Sequence, residues 1–115
     1  MLGDGVETIR NPFWRPGRAP AAIRGALTLA GGRRVRLALA TLESCQPKLV
    51  VRIVQKYTNR QPARLPIVVL VGVRRYILDG NHRLAAAKIR GERSADVWLI
   101  NGVAAHSKQH RMSSG

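Results

Sequence analysis

The fold of this chain is decided by residues 74–91, whose sequence is RRYILDGNHRLAAAKIRG. The Tyr-Ile-Leu run favours a strand, and Asp79-Gly80, which follows it, is a turn pair. Asn81 is a favoured N-cap residue, the residues after it are mostly helix formers, and Gly91 stands where a helix often ends on a left-handed residue. The stretch therefore predicts a strand, a tight turn and a helix.

The turn and the start of the helix concentrate the polar residues of this stretch. Free backbone N–H groups and the positive end of the helix dipole point outward there, which suits an anion. Gly80 would let the backbone approach a phosphate, Asn81 could offer its amide to an oxygen, and Arg83 has a planar fork of donors that matches phosphate. His82 is predicted to contact the phosphate, to act as an acid–base group, or to be a buried structural histidine. These four residues predict a phosphate or phosphoanhydride site.

Asp79 raises a question of charge, because a carboxylate beside a polyphosphate is repulsive. A Mg²⁺ ion between the two would remove the repulsion, with Asp79 and Glu43 as its ligands. The simpler alternative is that Asp79 forms the turn through its own side chain. The first interpretation makes Asp79, His82 and Glu43 the candidate catalytic residues.

The run Asp79-Gly80-Asn81-His82-Arg83-Leu84, followed by three alanines, resembles the Asp-Gly-x-His-Arg box of the ParB/sulfiredoxin-like superfamily. The likeness extends upstream to residues 66–69 and 46–47 and downstream to Gly91 and Val97. Members of this superfamily bind nucleotides through the box. They include CTP-dependent partition proteins, ATP-using sulfinic acid reductases, a free-serine kinase and proteins described as nucleases. The resemblance implies the same fold and a site for CTP or ATP with Mg²⁺.

The resemblance has one departure. The sulfinic acid reductases place a catalytic cysteine directly before the His-Arg pair, where this chain has Asn81, and its single thiol, Cys45, lies far away in the sequence. We therefore set the reductase activity aside. In family members a loop faces the box at the place of residues 43–46, which makes Glu43 and Gln46 candidate contacts. Gln46 acting only as a cap for the next helix is an equally good account.

Composition predicts a basic, folded domain. The 115 residues carry a formal net charge of +14, and 45% of them are hydrophobic, enough for one domain with a core. The cations are spread along the chain, so nucleic acid is the expected partner, and a surface that only keeps the protein in solution is the alternative. The lone cysteine excludes an internal disulfide. No segment has the length of a membrane helix, so we expect a cytoplasmic protein without a membrane partner.

Three parts of the chain are distinguished. They are an irregular basic N-terminal extension at 1–32 with a short helix over 21–30, the ParB-like nucleotide- or phosphate-binding domain at 33–103, and a polar tail at 104–115. Phe13 and Trp14 in the extension either dock a partner or a base, or pack onto the domain's own surface, which is favoured.

Apolar patterns predict the other elements. Strands are expected at residues 35–40, 66–71 and 95–100, the second of them buried on both faces, and Gly72-Val73 is expected to close a hairpin. Residues 47–57 favour a helix, although their β-branched residues leave a strand open. The fold class expected is α+β, with a small mixed sheet flanked by two or three helices, of the ParB/sulfiredoxin-like kind.

Five further cations are candidates for nucleic-acid binding. They are Lys48, Arg52 and Lys56, which a helix over residues 47–57 would place in one stripe, together with Arg74 and Arg75. A merely solvated stripe is the favoured alternative, since like charges at this spacing cost only a few tenths of a kcal/mol.

Three functions follow, in order of preference. The first is a ParB-like domain that binds a nucleoside triphosphate or a nucleic-acid phosphate at residues 79–83, with nuclease or NTPase activity implied by the resemblance alone. The second is a non-enzymatic basic adaptor for DNA or RNA, and the third is a small-molecule kinase like the family's free-serine kinase. The residues after Ile100 are too few for the helix-turn-helix and dimerisation domains of a partition protein, so we expect an isolated core, phage- or plasmid-borne. Homodimer formation stays open.

Overall fold

The computed structural model describes residues 6–17, 31–59 and 64–102. The elements along the chain are β1 (Thr8–Arg10), β2 (Arg33–Ala38), a 3-10 turn (Leu39–Thr41), β3 (Leu42–Glu43), β4 (Lys48–Val50), α1 (Val51–Thr58), β5 (Ile67–Val71), β6 (Arg74–Asp79), α2 (Asn81–Ile89) and β7 (Ser94–Asn101). This part of the chain is a small mixed α+β protein with two α-helices, as the sequence predicts. The helix expected over 21–30 and the tail at 104–115 lie outside the described residues.

Five strands form one mixed sheet in the order β2-β7-β5-β6-β3. β7 is antiparallel to β2 and parallel to β5, whereas β6 is antiparallel to β5 and parallel to β3. β5 lies at the centre, and its neighbouring residues Val68 and Val69, which point to opposite faces, are both fully buried. The prediction of a strand buried on both faces is confirmed, and so is the hairpin, whose first loop residue, Gly72, has a φ of +63°.

The core lies between the sheet and the helices. In α2 the run of residues 84–87, one leucine and three alanines, is buried, and it packs with Val68 of β5 and Val97 of β7. α1 and α2 also contact each other. In the described ranges, no helix is long and apolar enough to cross a membrane.

The C-terminal end of α2 confirms its prediction. Gly91 has a φ of +91°, its N–H donates to the carbonyl of Lys88 at 3.0 Å, and the N–H of Glu92 donates to the carbonyl of Ala87 at 3.1 Å. This pair of bonds is the Schellman motif, which favours glycine at the left-handed position.

The prediction of one helix over residues 47–57 is wrong at its start. Residues Lys48–Val50 form β4, which pairs antiparallel with β1, and the helix begins only at Val51. Leu49 of β4 is completely buried and lies opposite Ile9 in the pairing. The β-branched residues that left a strand open in the sequence are consistent with this outcome.

The prediction of an irregular extension is wrong for residues 8–10. Thr8–Arg10 forms β1, the buried Phe13 is part of the hydrophobic core, and Trp14 bridges to Ser44. Packing of the Phe13 side chain onto its own domain, the favoured interpretation, is thereby confirmed. The pairing partner of this segment lies far along the chain, so no local pattern marks it as a strand.

Candidate functional site

The predicted phosphate site lies at the first turn of α2, but its glycine serves the fold. Gly80 is the N-cap residue, with a φ of +96°. A Cβ atom at Gly80 would lie 2.7 Å from Cβ and 2.9 Å from Cα of Pro66, so only glycine fits against the buried proline. The sequence suggested that Gly80 lets the backbone approach a phosphate. In the structure the backbone at Gly80 instead lies close to Pro66 of the same chain.

Asn81 belongs to a set of polar side chains that we name the asparagine cluster: Asn11, Ser44, Gln46 and Asn81. Asn81 is the first residue of α2 and makes no capping bond, so its prediction as the N-cap is wrong. Its Oδ1 accepts hydrogen bonds from Asn11 Nδ2 at 2.9 Å and from Ser44 Oγ at 2.5 Å, and its Nδ2 lies 3.4 Å from Gln46 Oε1. The amide expected to contact a phosphate is therefore held inside the protein.

Asn11 joins the N-terminal segment to this cluster. Its Nδ2 also lies 3.0 Å from Ser44 Oγ and 2.9 Å from the carbonyl oxygen of Gln46, and its side chain is almost completely buried. Buried polar groups need hydrogen-bond partners, and these bonds provide them. The cluster thus connects three segments that are distant in the sequence.

His82 connects the first turn of α2 to the start of α1. Its Nε2 accepts a hydrogen bond from the backbone N–H of Val50 at 3.0 Å, which requires an unprotonated nitrogen. Burial lowers the pKa of the imidazole below its usual value, because the charged form loses hydration. Of the roles that the sequence left open for His82, the structural one accounts for this geometry.

Arg83 is engaged by its own surroundings and is only 11% exposed. Its Nη2 donates to Asp79 Oδ2 at 3.1 Å, and its Nη1 donates to the carbonyl of Arg64 at 2.8 Å. The guanidinium has five N–H donors, so these two bonds do not exhaust it. The Asp79 carboxylate, at the end of β6, pairs with Arg83 in the first turn of α2, so the cation that balances its charge comes from the protein itself.

A cavity of about 180 Å³, which we name the turn pocket, opens beside these residues. It is lined by Gln46, Ile53, Tyr57 and residues 78–83. The structure therefore brings Gln46 to the predicted box, from the loop that was expected to face it.

Glu43 does not reach the turn pocket. Its carboxylate accepts two hydrogen bonds from Arg74, at 2.6 and 3.0 Å, and this interaction lowers its pKa. Glu43 is in register with Tyr76, three residues before Asp79, which corresponds to about 10 Å along a strand. The expected metal pair of Asp79 and Glu43 is not formed, and within the described ranges no group of three or more His, Cys, Asp and Glu side chains could hold a metal ion.

The five cations predicted to bind nucleic acid are not brought together. Lys48 lies on β4, so only Arg52 and Lys56 share an exposed face of α1. Arg74 pairs with Glu43 and lies 5.2 Å from the ring of Tyr76, and Arg75 is half-buried on β6. The predicted stripe of three is therefore wrong.

Another set of arginines does converge, in a groove beside α2 that we name the arginine groove. Its volume is about 600 Å³. The charged residues that line it are Arg34, Arg36, Arg64, Arg83, Arg90 and Arg93, with Glu92 and Asp96. Its apolar lining consists of Leu65, Pro66, Leu84, Ala87 and Ala95. Arg83 lines both the groove and the turn pocket.

Acidic residues pair with part of this lining. Arg34 and Arg36 contact the two carboxylate oxygens of Asp96, at 2.8 and 3.2 Å, and the hydrogen bond from Arg34 lowers the pKa of Asp96. Arg90 pairs with Glu92 at 2.7 Å. The arginine side chains of the Asp96 pairs remain largely exposed, 65% and 63%.

Two arginines of the groove lack such partners. Arg64 and Arg93 are exposed and form no ion pair with any residue in the described ranges. Six arginines and two carboxylates give the described part of the lining a net charge of +4. Of the six, sequence reasoning selected only Arg83. Arg34 and Arg36 could have been grouped from the sequence, because residues two apart in a strand lie on the same face of the sheet.

Comparisons of the chain with protein-family models, with curated proteins and with solved structures found no match. The resemblance to the ParB/sulfiredoxin-like superfamily therefore stays a prediction that depends on the box at residues 79–84.

Proposed function

We propose that this protein binds nucleic acid through its phosphate groups in the arginine groove. The observation that carries the proposal is that, among the described residues, six arginines and two carboxylates line one groove of about 600 Å³. Guanidinium groups bind phosphate oxygens through paired N–H donors, and the net charge of +14 would draw a polyanion toward the protein. The proposal keeps Arg83 as a phosphate contact.

The ion pairs in the groove are compatible with this function. Arg34 and Arg36 are mostly exposed, and exposed ion pairs contribute between about 0 and 1 kcal/mol. A phosphate can therefore compete with Asp96 for these guanidinium groups at small cost. Arg64 and Arg93 have no competing carboxylate among the described residues, so they are the contacts we expect to matter most.

Hydrolysis is not part of the proposal. The sequence suggested two carboxylates for catalysis. Asp79, at the end of β6, pairs with Arg83, and Glu43, on β3, pairs with Arg74. The binding function needs only the cations of the groove and their access to solvent.

The test removes two unpaired cations. We expect Arg64→Ala/Arg93→Ala to weaken the binding of a labelled oligonucleotide and to lower the slope of log K against log salt by about 1 for each arginine, measured by fluorescence anisotropy between about 50 and 200 mM salt. The matched control is Lys48→Ala/Arg52→Ala, which removes the same charge from exposed residues outside the groove.

The control decides between a site and a diffuse field. Equal losses in the two double variants would mean that the whole basic surface attracts the oligonucleotide, and the arginine groove would have no special role. Absence of oligonucleotide binding by the wild-type protein at low salt would overturn the proposal directly.

A second candidate is a nucleoside triphosphate with its phosphates at the turn pocket. The observation in its favour is that Arg83 and Gln46 both line this pocket, in agreement with the loop that the resemblance implies. Titration of CTP and ATP, with and without Mg²⁺, tests it against Arg83→Ala. Nucleotide binding that Arg83→Ala abolishes and that the Arg64/Arg93 double variant preserves would favour the second candidate.

A further inference from the structure

The strand β7 is longer than its neighbour β5. β7 runs over Ser94–Asn101, whereas β5 begins at Ile67, which lies opposite Trp98. Residues 94–97 therefore have a strand partner on the β2 side only. The other side of this segment lines the arginine groove at Ser94, Ala95 and Asp96.

The hydrogen-bond pattern tells which backbone groups of this edge point into the groove. Just beyond the β2–β7 ladder, the N–H of Leu39 donates to the carbonyl of Arg93. In an antiparallel ladder every second residue bonds to the same neighbouring strand, so the N–H and C=O groups of Arg93, Ala95 and Val97 point toward β2. The N–H and C=O groups of the residues between them point toward the β5 side. Trp98 is an example, because its N–H donates to the carbonyl of Pro66 at 2.8 Å. Ser94 and Asp96 share the orientation of Trp98.

The N–H groups of Ser94 and Asp96 thus point into the groove at a place that β5 does not reach. No residue in the described ranges forms a hydrogen bond with either N–H group. The groove therefore combines an arginine rim, an apolar lining and an open strand edge that presents donors and acceptors side by side.

We infer that this edge selects single-stranded nucleic acid by hydrogen bonding to unpaired bases. The inference rests on the proposed function and adds to it the class of nucleic acid. Single-stranded nucleic acids are recognised through the Watson–Crick edges of splayed-out bases, which in a duplex are already paired. A donor next to an acceptor on the strand edge complements a base edge that presents an acceptor next to a donor.

The shape and charge of the groove fit the same ligand. A volume of about 600 Å³ falls within the range of about 300–1,000 Å³ that is typical of small-ligand sites, so it suits a few extruded nucleotides better than the side of a duplex. The part of the lining that the structure describes holds no aromatic side chain, so bases would pack on its apolar residues and on guanidinium planes. The outward arginines would hold the phosphates that connect these bases.

The experiment compares three labelled probes on the wild-type protein at one salt concentration. They are a single strand of mixed sequence, the duplex formed from that strand, and an abasic single strand with the same number of phosphates. We expect the single strand to bind about tenfold more tightly than either of the others, the size of effect found for one or two well-placed bases.

The outcomes separate the inference from the proposed function. Equal affinity for the three probes, with retained dependence on Arg64 and Arg93, would overturn the inference and leave the proposed function intact. No binding of any probe would overturn both. A polyglutamate peptide that binds more tightly than the single strand would make an acidic protein segment the ligand, which also overturns both.

A pair of variants tests the strand edge itself. Ser94→Pro removes an N–H that the β2–β7 ladder does not use, a place where an edge strand tolerates proline, whereas Ser94→Ala keeps the N–H and removes only the hydroxyl. We expect the preference for the single strand to fall about fivefold or more in the proline variant and to persist in the alanine variant. If the proline variant does not fold, as circular dichroism would show, the abasic probe on the wild type decides. A folded proline variant with full preference would overturn the inference.

Discussion

The first turn of α2 and the arginine groove share Arg83, yet they use their polar residues in opposite directions. At the turn, Asn81 and His82 bond to other segments of the same chain, and Gly80 contacts Pro66. In the groove, four of the six arginines are exposed, namely Arg34, Arg36, Arg64 and Arg93. A short polar motif therefore indicates that polar groups gather at one place, whereas the tertiary contacts decide whether they face a ligand or the protein.

The physical reason for the difference is the cost of desolvation. Neutral amides and hydroxyls can be buried when each finds a partner, as in the asparagine cluster, but a buried charge is far more costly. Three segments meet at the first turn of α2, so that place takes neutral polar side chains. The cations accumulate instead along the open groove, where water and a ligand can reach them.

The largest effect is expected from the inward-facing glycine. Gly80→Ala would place a Cβ against Pro66 at a positive φ, so we expect a loss of about 3 kcal/mol or more in the free energy of unfolding, measured by urea denaturation. Gly91→Ala is the matched control, because its φ is also positive and no atom lies within 4 Å of the added Cβ. We expect about 1 kcal/mol there. Equal losses would mean that the contact with Pro66 is unimportant.

A smaller effect is expected from pH through His82. Its pKa is lower in the folded protein than in the unfolded chain, so protonation favours unfolding. Its contribution should be complete above the unfolded value of about 6.5 and should be lost as the pH falls through the folded value. The free energy of unfolding should fall between about pH 8 and about pH 5 in the wild type, and it should fall less in His82→Asn. At pH 8 this variant should be less stable by about 1 kcal/mol, because it loses the hydrogen bond from Val50.

Two other histidines allow a control for this pH dependence. The double variant His106→Asn/His110→Asn should keep the slope of the wild type. A slope that disappears in the double variant and persists in His82→Asn would assign the pH dependence to the tail.

The smallest effect on stability, and a gain in binding, is expected from the groove. Asp96→Asn removes the carboxylate that pairs with Arg34 and Arg36, so we expect oligonucleotide affinity to rise about threefold to tenfold at low salt. The exposed pairs should cost no more than about 1 kcal/mol of stability. Glu43→Gln removes an equal charge outside the groove, and a similar gain there would show that only the net charge matters.

The parts of the fold that could be predicted have local causes. β5 is a continuous apolar run, the β5–β6 loop contains a glycine at a positive φ, and α2 ends at Gly91 with its Schellman bonds. Each of these signals lies within a few residues of the element that it specifies. The strand β1 has no such signal, because Thr8–Arg10 becomes a strand only by pairing with β4.

The sequence predicts the positive charge of the candidate site better than its location in the fold. The charge of +14 predicts an anionic partner, which the proposed function also assumes. The arginines of the groove come from β2, from the segment before β5, from α2 and from the residues that follow it. Asn11, which the sequence does not distinguish, supplies buried hydrogen bonds at the first turn of α2. Such assemblies depend on tertiary contacts, which the pattern along a single chain does not contain.

The hydrogen bonds of Asn11 also define the smallest fragment that can preserve the first turn of α2. A fragment that begins at Gly31 would keep all five strands of the main sheet. It would lose Phe13 from the core and the Asn11 amide that donates to Asn81 Oδ1. Asn81 Oδ1 would keep only the bond from Ser44, and the backbone N–H of the buried Ser44 would lose its acceptor, the Phe13 carbonyl. A buried group left without its partner costs about 1–3 kcal/mol. Trimming this domain to its sheet would therefore remove the support of the helix that carries Arg83.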